Sequence, residues 1–474
     1  MLNRYPWQVE ALKDERPKLV IQSSPRCGKS LYAIDWIAKH QFQRVLILSP
    51  LVVLPQWENF IEEHLQPRHD VTVHALYKKL PAAIGALLQS LNGQETPFIL
   101  LCNYDKVKQL SGRTPRGMLK QLADLKLDAI VVDESHSLKS PSSQRGKVGR
   151  FLCQSIPNVR LLTGTMAPNG VEDLWGQFAC IDPVAWKPNY TQFKRTHLIT
   201  NEYDYGKVVG IQNPKLLDRM VKNASLTYNR DEVFGPDTWI TVERTFDLDK
   251  HSRTLYDTIV KQWVLEQEKH GLDLEVTHAL SRMIRLRQLT SGYLPDEDKR
   301  LVTINTLKLD LVMEDLGDII RAKEKAVVFH QFRAESESYY NAALAFGVPV
   351  FRLNGDTSTE ERAGLVLEFT KLKGPGVFII NTAAGGIGIS LAEASHALFI
   401  SQSYSHSVET QARDRIYKPG AVRTVTYYRA NKSVDMFISS VLLSKRNFNE
   451  ALSRSTIKDI AYSDTHYKHE DIIK

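Results

Sequence analysis

Ten short runs of β-prone apolar residues, five in each half of the chain, constrain what this sequence can fold into. In the first half they are Leu19 to Gln22, Val45 to Leu48, Phe98 to Cys102, Ala129 to Val132 and Arg160 to Leu162. In the second they are Ala326 to His330, Pro349 to Leu353, Val377 to Ile380, Ala397 to Ile400 and Thr424 to Tyr428. Each is too short for a helix and is followed by a longer polar or amphipathic segment, the rhythm of parallel strands joined by helical crossovers. A chain of 474 residues also exceeds what one hydrophobic core usually serves. The predicted fold class is therefore α/β, with two parallel-sheet domains.

The stretch between the two sets reads differently. Residues 182 to 300 have fewer strand-like runs and many charges, with helices predicted over Ser252 to His270 and Val276 to Leu289. In the second of these, Met283, Leu286 and Leu289 line one face while Arg282, Arg285 and Arg287 spread over the others. The expected organisation is a first domain over 1–181, helical insertions and a linker over 182–300, and a second domain over 301–474. That second domain ends in a helix from Ser433 to Ser453 and a loosely held polar tail after Ile460.

Two segments of the first half carry the chemistry. Ser23-Ser24-Pro25-Arg26-Cys27-Gly28-Lys29-Ser30 follows a strand and precedes a helix that begins near Leu31, so backbone N–H groups and a positive helix terminus converge there. Ser24, Gly28, Lys29 and Ser30 are candidate phosphate ligands: Lys29 supplies an ammonium, Ser30 a hydroxyl for Mg²⁺. The match to the usual glycine pattern is incomplete, since Ser23 replaces its first glycine. Asp133-Glu134-Ser135-His136 then directly follows the run Ala129 to Val132. Magnesium needs only one or two carboxylates because it keeps several waters. Asp133 is the candidate metal ligand, and Glu134 the base that orients and deprotonates water. Together the two segments can hold ATP, Mg²⁺ and an attacking water.

Charge adds a second partner class. Residues 1–240 carry 30 basic and 23 acidic side chains, whereas residues 241–474 carry 31 of each, so the net charge of +7 resides in the first half. From Ser135 through Val171 there is no acid, while Lys139, Arg145, Lys147, Arg150 and Arg160 occur there, an imbalance suited either to nucleic-acid phosphates or to a solvated basic face. The longest apolar stretch, Val45 to Leu54, is broken by Ser49-Pro50 and is too short for a bilayer, and the N-terminus lacks the apolar segment of a secretory signal. The four cysteines are far apart with no Cys-x-x-Cys, which argues against zinc and disulfides. A cytoplasmic protein without membrane or zinc, and a monomer, is expected.

With these segments in order, the chain resembles superfamily-two helicases and, within them, the Swi/Snf-type DNA translocases. The resemblance runs from Arg4 to about Leu452. Arg4-Tyr5-Pro6-Trp7-Gln8 resembles the adenine-recognising segment, which implies nucleotide contacts from Arg4 and Gln8. Val45 to Trp57 resembles the first nucleic-acid segment, implying Pro50, Gln56 and Trp57 as contacts, and Cys102-Asn103-Tyr104-Asp105 resembles the next. Asp133 to Lys139 is similar to the family's Asp-Glu-Ala-His box with the Leu-Lys extension of the Swi/Snf branch; Ser135 stands for alanine. Leu162-Thr163-Gly164-Thr165 resembles the segment that couples hydrolysis to DNA grip, with Met166 in place of proline. His136, Thr163, Thr165 and Gln411 are the implied coupling residues, and Lys139, Arg145 and Lys147 are assigned to nucleic acid.

In the second half, Val327 to Phe332 resembles the fourth motif, and Leu353-Asn354-Gly355-Asp356-Thr357-Ser358 with Arg362 the segment after it. Asn381 to Ile389 is similar to the glycine-rich fifth motif, in which Gly386 and Gly388 let backbone approach phosphate; Asn354 and Thr382 are implied nucleic-acid contacts. Gln411 to Gly420 resembles the sixth motif, which brings two arginines to the triphosphate. Arg415 matches the first and Lys418 occupies the place of the second. A lysine cannot bridge two phosphate oxygens as a planar guanidinium does, so either Lys418 is a weaker finger or Arg413 or Arg423 takes that part. The resemblance implies two RecA-like domains that share one triphosphate, and an ATP-dependent motor on duplex or branched DNA that remodels, branch-migrates or reanneals it, as in recombination and repair. An RNA helicase of the same superfamily and a nucleotide-dependent binding switch without motor activity are the rival readings, and a small-molecule kinase is a more distant one.

Overall fold

The computed structural model describes residues 4–24, 27–110, 118–167, 170–201, 207–229, 232–233, 239–270, 276–296, 298, 300–355, 357–383, 389–443 and 455–464. The chain forms two compact units, Met1–Asp237 and Thr238–Lys474.

The first unit is built on strands β1 (Lys18–Ser23), β2 (Arg44–Ser49), β3 (Thr72–Ala75), β4 (Phe98–Asn103), β5 (Ala129–Asp133) and β6 (Asn158–Thr163). After the antiparallel pair β7 (Leu198–Asn201) and β8 (Lys207–Ile211) comes β9 (Ser225–Tyr228). The seven-stranded sheet runs β3-β4-β2-β5-β6-β1-β9, and its pairings are parallel. Because strand side chains alternate, the interior strands feed two cores. Val20, Leu46, Leu100, Ile130 and Leu161 point to one face, and Ile21, Ile47, Leu101, Val131 and Leu162 to the other.

The second unit contains β10 (Trp239–Phe246), the antiparallel pair β11 (Tyr293–Pro295) and β12 (Leu301–Thr303), and then β13 (Lys325–His330), β14 (Val350–Leu353), β15 (Gly376–Asn381), β16 (His396–Phe399) and β17 (Arg423–Ala430). Its six-stranded sheet runs β10-β17-β16-β13-β15-β14, again with parallel pairings. Helices Lys250–His270, Val276–Thr290, Val434–Leu443 and Ile457–Ala461 share a separate apolar cluster that includes Tyr256, Trp263, Met283, Leu286, Leu289 and Phe437. The fold is thus two parallel α/β sheets with added helices.

All ten apolar runs fall on strands. Strands β3, β9 and β10 are legible in none of them, and all three lie at sheet edges. These three are half solvated and carry no continuous apolar run, as Ser225-Leu226-Thr227-Tyr228 illustrates, whereas β14, the other edge of the second sheet, does. The stretch 182–300 consequently gives one strand to each sheet, β9 to the first and β10 to the second. The helix expected over Ser433 to Ser453 is present over Val434–Leu443, and its remainder lies outside the described residues. The four cysteines are buried thiols. Among the described residues, no helix is long and apolar enough to cross a membrane.

Candidate functional site

Parallel pairing brings the chemistry-bearing segments of the first unit to one end of the sheet. Strands β5, β6 and β1 are neighbours, and their register aligns Ile21 with Leu162 and Leu162 with Asp133. The loop after β1, the acidic box after β5 and the threonine segment after β6 therefore leave the sheet side by side, where ligands of open α/β sheets bind.

In the loop, Gly28 caps the helix Lys29–His40 with φ of +83°, a conformation that favours glycine, and a Cβ there would meet Gln8 Nε2 at 2.5 Å and displace the Gln8 amide. Lys29 Nζ donates to the carbonyls of Ser23 at 2.7 Å and Ser24 at 3.2 Å, which curls the loop around the ammonium. Ser30 lies half-buried in the first helical turn. Pro25 and Arg26 lie outside the described residues.

The box is held from several directions. Asp133 Oδ2 accepts from Ser49 Oγ at 3.1 Å and from the Trp57 indole at 3.0 Å, and Oδ1 accepts from the Glu134 amide at 3.0 Å. Burial, and then the adjacent Glu134 charge, push the Asp133 carboxyl up to about 6, against the opposing pull of Trp57, Lys29 and Ser49. Burial acts upward on Glu134 too, but the hydrogen bond from His136 and the Lys29 charge outweigh it, so Glu134 is held below its ordinary value and stays ionised. Tyr104 donates its hydroxyl to the main-chain carbonyl of Asp133. A hard, oxygen-only donor set of hydroxyl and carboxylate beside a lysine fits magnesium and a triphosphate.

From Glu134 a polar chain leads to the next strand. His136 Nδ1 lies 3.2 Å from Glu134 Oε2 and 3.4 Å from Thr163 Oγ1. Thr163 donates to the Thr165 carbonyl at 2.7 Å and accepts from the Thr165 amide at 3.2 Å. Ser135 is more than a small residue in the alanine position, since its hydroxyl donates to Gln177 Oε1 at 3.0 Å, and Gln177 Nε2 donates to the Met166 carbonyl at 2.5 Å. The helix Asp173–Ile181 that carries Gln177 packs so tightly that a Cβ on Gly176 would lie 2.3 Å from the Lys139 carbonyl.

Several residues singled out in the sequence have other surroundings. Arg4 forms a two-point ion pair with Asp35, Nε to Oδ2 at 2.6 Å and Nη2 to Oδ1 at 2.9 Å, and Arg68 joins it at 2.7 Å. Gln8 is buried, accepts from the Tyr5 amide at 2.7 Å and donates to the Gly28 carbonyl at 2.8 Å, so its amide joins the opening segment to the loop. Trp57, 1% exposed, has its single donor on Asp133 rather than at a surface. Pro50 and Gln56 are half-buried. Lys139 pairs with Asp173 at 3.5 Å, Arg145 pairs with Asp105, and Lys147 is exposed. Arg160, read as part of a basic face, is instead 1% exposed: its guanidinium lies 4.3 Å from the Trp36 ring and donates to Tyr32 and to main-chain carbonyls.

In the second unit, Thr382 is buried and donates to the His330 carbonyl at 3.1 Å, while Asn354 accepts from Ser336 at 3.0 Å. Gly386 and Gly388 lie outside the described residues. The helix His406–Arg413 carries Gln411 and runs into the turn Asp414–Ile416, where Arg415 is buried. Lys418 is exposed and pairs with Glu393 at 3.1 Å. Arg413 lies over the Trp239 ring at 4.9 Å. Arg423 donates to the carbonyls of Ile416, Val422 and Ala392, which ties it to the fold and removes it from the finger candidates.

The roles of Ser49, Tyr104, Gly176 and Gln177 escaped the sequence reading. Ser49 and Tyr104 lie inside segments recognised there, but nothing in a linear sequence says that they turn toward Asp133.

Residues 11–292 match the model of the SNF2-related domain, and residues 309–420 match the helicase conserved C-terminal domain. An uncharacterized ATP-dependent helicase of Mycoplasma pneumoniae is 23% identical over 462 residues, 96% of this chain and 42% of the relative. A putative ATP-dependent helicase/translocase, YwqA, of Bacillus subtilis is 25% identical over 71% of this chain and 37% of its own length. The Zorya protein ZorD of Escherichia coli is 24% identical over 82% of this chain and 37% of its own. The chain thus spans about two fifths of the length of these curated relatives. Among solved structures, the SWI2/SNF2 ATPase core of Sulfolobus solfataricus in complex with double-stranded DNA aligns over 98% of both chains at 18% identity and a TM-score of 0.41.

Proposed function

This chain belongs to the SNF2-related domain family, and from that premise we propose that it is a DNA-stimulated ATPase that couples ATP hydrolysis to movement on duplex or branched DNA. The observation that carries the reading is the polar chain from Lys29 and Glu134 through His136 to Thr163 and Thr165, which joins a phosphate loop to the segment expected to sense nucleic acid.

In this reading Lys29 would leave the carbonyls of Ser23 and Ser24 for the β/γ-phosphates, and Ser30 and Asp133 would hold magnesium. Bound there, magnesium would supply positive charge against the triphosphate. Asp133 is kept in one orientation by Ser49, Trp57 and its neighbour's amide, so the metal carboxylate does not have to reorganise during the reaction. Glu134, ionised beside Lys29, orients the water and takes its proton. His136 passes the state of Glu134 to Thr163, and Arg415 and Lys418 are the second unit's cations for turnover. Remodelling, branch migration and reannealing would all use this engine.

The test is a panel of blunt, forked, four-way and single-stranded DNA and RNA assayed for ATPase stimulation, with Glu134→Gln as background. DNA stimulation above that background is the expected outcome. Stimulation by RNA alone would transfer the chain to the RNA helicases. Turnover equal to Glu134→Gln on every nucleic acid would favour a nucleotide-dependent switch, the reading to which the exposed Lys418–Glu393 pair lends some weight.

A further inference from the structure

One arginine of the helix Val276–Thr290 is built into the interior of the second unit, on the side of the helix that carries Met283 four residues earlier. Arg287 is 5% exposed, whereas Arg285, two residues earlier, is exposed. The Arg287 guanidinium lies 5.1 Å from the centre of the Phe332 ring and 4.5 Å from that of Tyr404, and donates to the Gln402 carbonyl at 2.5 Å. It thereby ties the segment after β13 to the turn after β16.

That turn has a second set of anchors. The Gln402 side chain donates to Glu409 Oε1 at 2.7 Å and accepts from Arg429 Nε at 3.0 Å. Glu409 Oε2 accepts from the Ser403 amide at 3.0 Å, and Arg429 also pairs with Glu243 at 2.5 Å. Two guanidiniums and two carboxylates are therefore arranged around one glutamine, with Arg287, Glu409 and Arg429 all buried. In such surroundings a partly satisfied network is costly, so the full set favours a single arrangement of the turn. Glu409 lies on the helix His406–Arg413, which carries Gln411 and Arg413 and leads directly to Arg415.

We propose that Arg287 is a positioning residue for the segment 411–418, acting through Gln402 and Glu409: the middle helix sets where the cations of the second unit stand. The inference rests on the reading of Arg415 as a turnover cation.

The experiment compares Arg287→Met, Arg287→Lys and Arg285→Met in the full chain by hydrogen–deuterium exchange and DNA-stimulated ATPase kinetics, with Arg415→Ala in parallel. Arg287→Met is expected to speed exchange across residues 402–413 by about tenfold while helix Leu307–Arg321 keeps its protection. It should lower kcat by about tenfold or more with KM for ATP within about twofold. Arg287→Lys, which keeps the charge but loses the flat fork, should be intermediate, and Arg285→Met should match the parent. If Arg287→Met does not fold, Arg287→Lys is judged on the same two readouts. Unchanged exchange and unchanged kcat overturn the proposal, as does loss of protection spread evenly over the second unit, which would make Arg287 a core residue and no more. An Arg415→Ala variant with parental turnover removes the underlying reading instead, whatever Arg287 does.

Discussion

The first unit gathers its polar centre from strands that are neighbours in one sheet, whereas the second holds its own by a network drawn from distant stretches of chain. Lys29, Asp133, Glu134 and Thr163 all follow β1, β5 or β6, or sit at their ends, so parallel pairing alone brings them together. Around Gln402, by contrast, Glu243, Arg287, Glu409 and Arg429 come from β10, a middle helix, the helix after β16, and β17. The lesson is that the same type of sheet can support a site through strand order or through buried charge, and that the two respond differently to mutation and to pH.

The largest effect that would break this contrast lies in the first unit. Lys29→Ala and Glu134→Gln should each lower ATPase turnover by roughly 10³-fold or more, since one removes the phosphate cation and the other the base. Turnover at the parental rate in either would mean that the strand-end cluster is not the hydrolytic centre.

Next comes the charge network of the second unit. Burial holds the Glu409 carboxyl up at about 7, above the ordinary carboxylate range. A folded value raised above the unfolded one means that the native state binds more protons between the two values, so this group's contribution to stability declines as pH rises from about 4.5 through 7. A shift of that size corresponds to about 3 kcal/mol. Glu409→Gln should flatten this part of the pH–stability profile, so that subtracting the variant's denaturation midpoints from the parent's leaves a difference that falls as pH rises over that range. A difference profile that is level over that range would show that Glu409 does not titrate there.

The first unit offers a partner of opposite sign. Burial pushes Asp35 up, but hydrogen bonds from Arg4 and Arg68 overcome it and hold the carboxyl below its ordinary range. Its contribution is complete above the unfolded value and is lost as pH falls through the folded one. Asp35→Asn should cost about 2 kcal/mol at neutral pH, less than a fully buried pair because both arginines are more than a third exposed. The deficit should shrink in acid, and a deficit that grows in acid would reverse the assignment.

Smaller still, Trp57→Phe keeps the ring but removes the donor to Asp133, which should cost about 1 kcal/mol in urea denaturation and reduce affinity for magnesium nucleotide. An unchanged affinity would detach Trp57 from the metal carboxylate. The smallest effect is expected from Lys418→Arg, whose exposed pair with Glu393 contributes little to the fold. Stability should not change, and ATPase activity should be preserved or raised if this position is the finger; a large loss would require another role for Lys418.

Much of this is legible in the linear chain, and for a definite reason. Interior parallel strands are covered on both faces and therefore read as continuous apolar runs, which is why β1, β2, β4, β5 and β6 stand out while three of the four edge strands, β3, β9 and β10, do not; the fourth, β14, keeps an apolar run. Arg160 shows the opposite limit. A basic residue in an acid-free stretch reads as surface, yet its guanidinium lies 4.3 Å from the Trp36 ring centre, with Nε donating to Tyr32 and Nη1 to main-chain carbonyls. Arg287 is missed in the same way: it stands four residues from Met283 on the buried side, but its charge reads as solvent-seeking, and the aromatic rings and carbonyl around it come from other parts of the chain.

The sequence by itself determined the two sheets, the phosphate loop with its downstream acidic box, and the family, because these depend on local patterns of polarity, glycine and strand-end residues. The tertiary structure decided what those residues touch. Trp57 turned out to support Asp133, Ser135 to bond Gln177, Arg4 to clamp Asp35, Arg423 to be tied to main-chain carbonyls, and Arg287 to pin the turn that leads to Arg415. Arg423 apart, which also reaches Ile416 seven residues away, these are hydrogen bonds between groups more than 30 residues apart in the chain. Residue type records only the capacity to donate or accept, and packing chooses the partner.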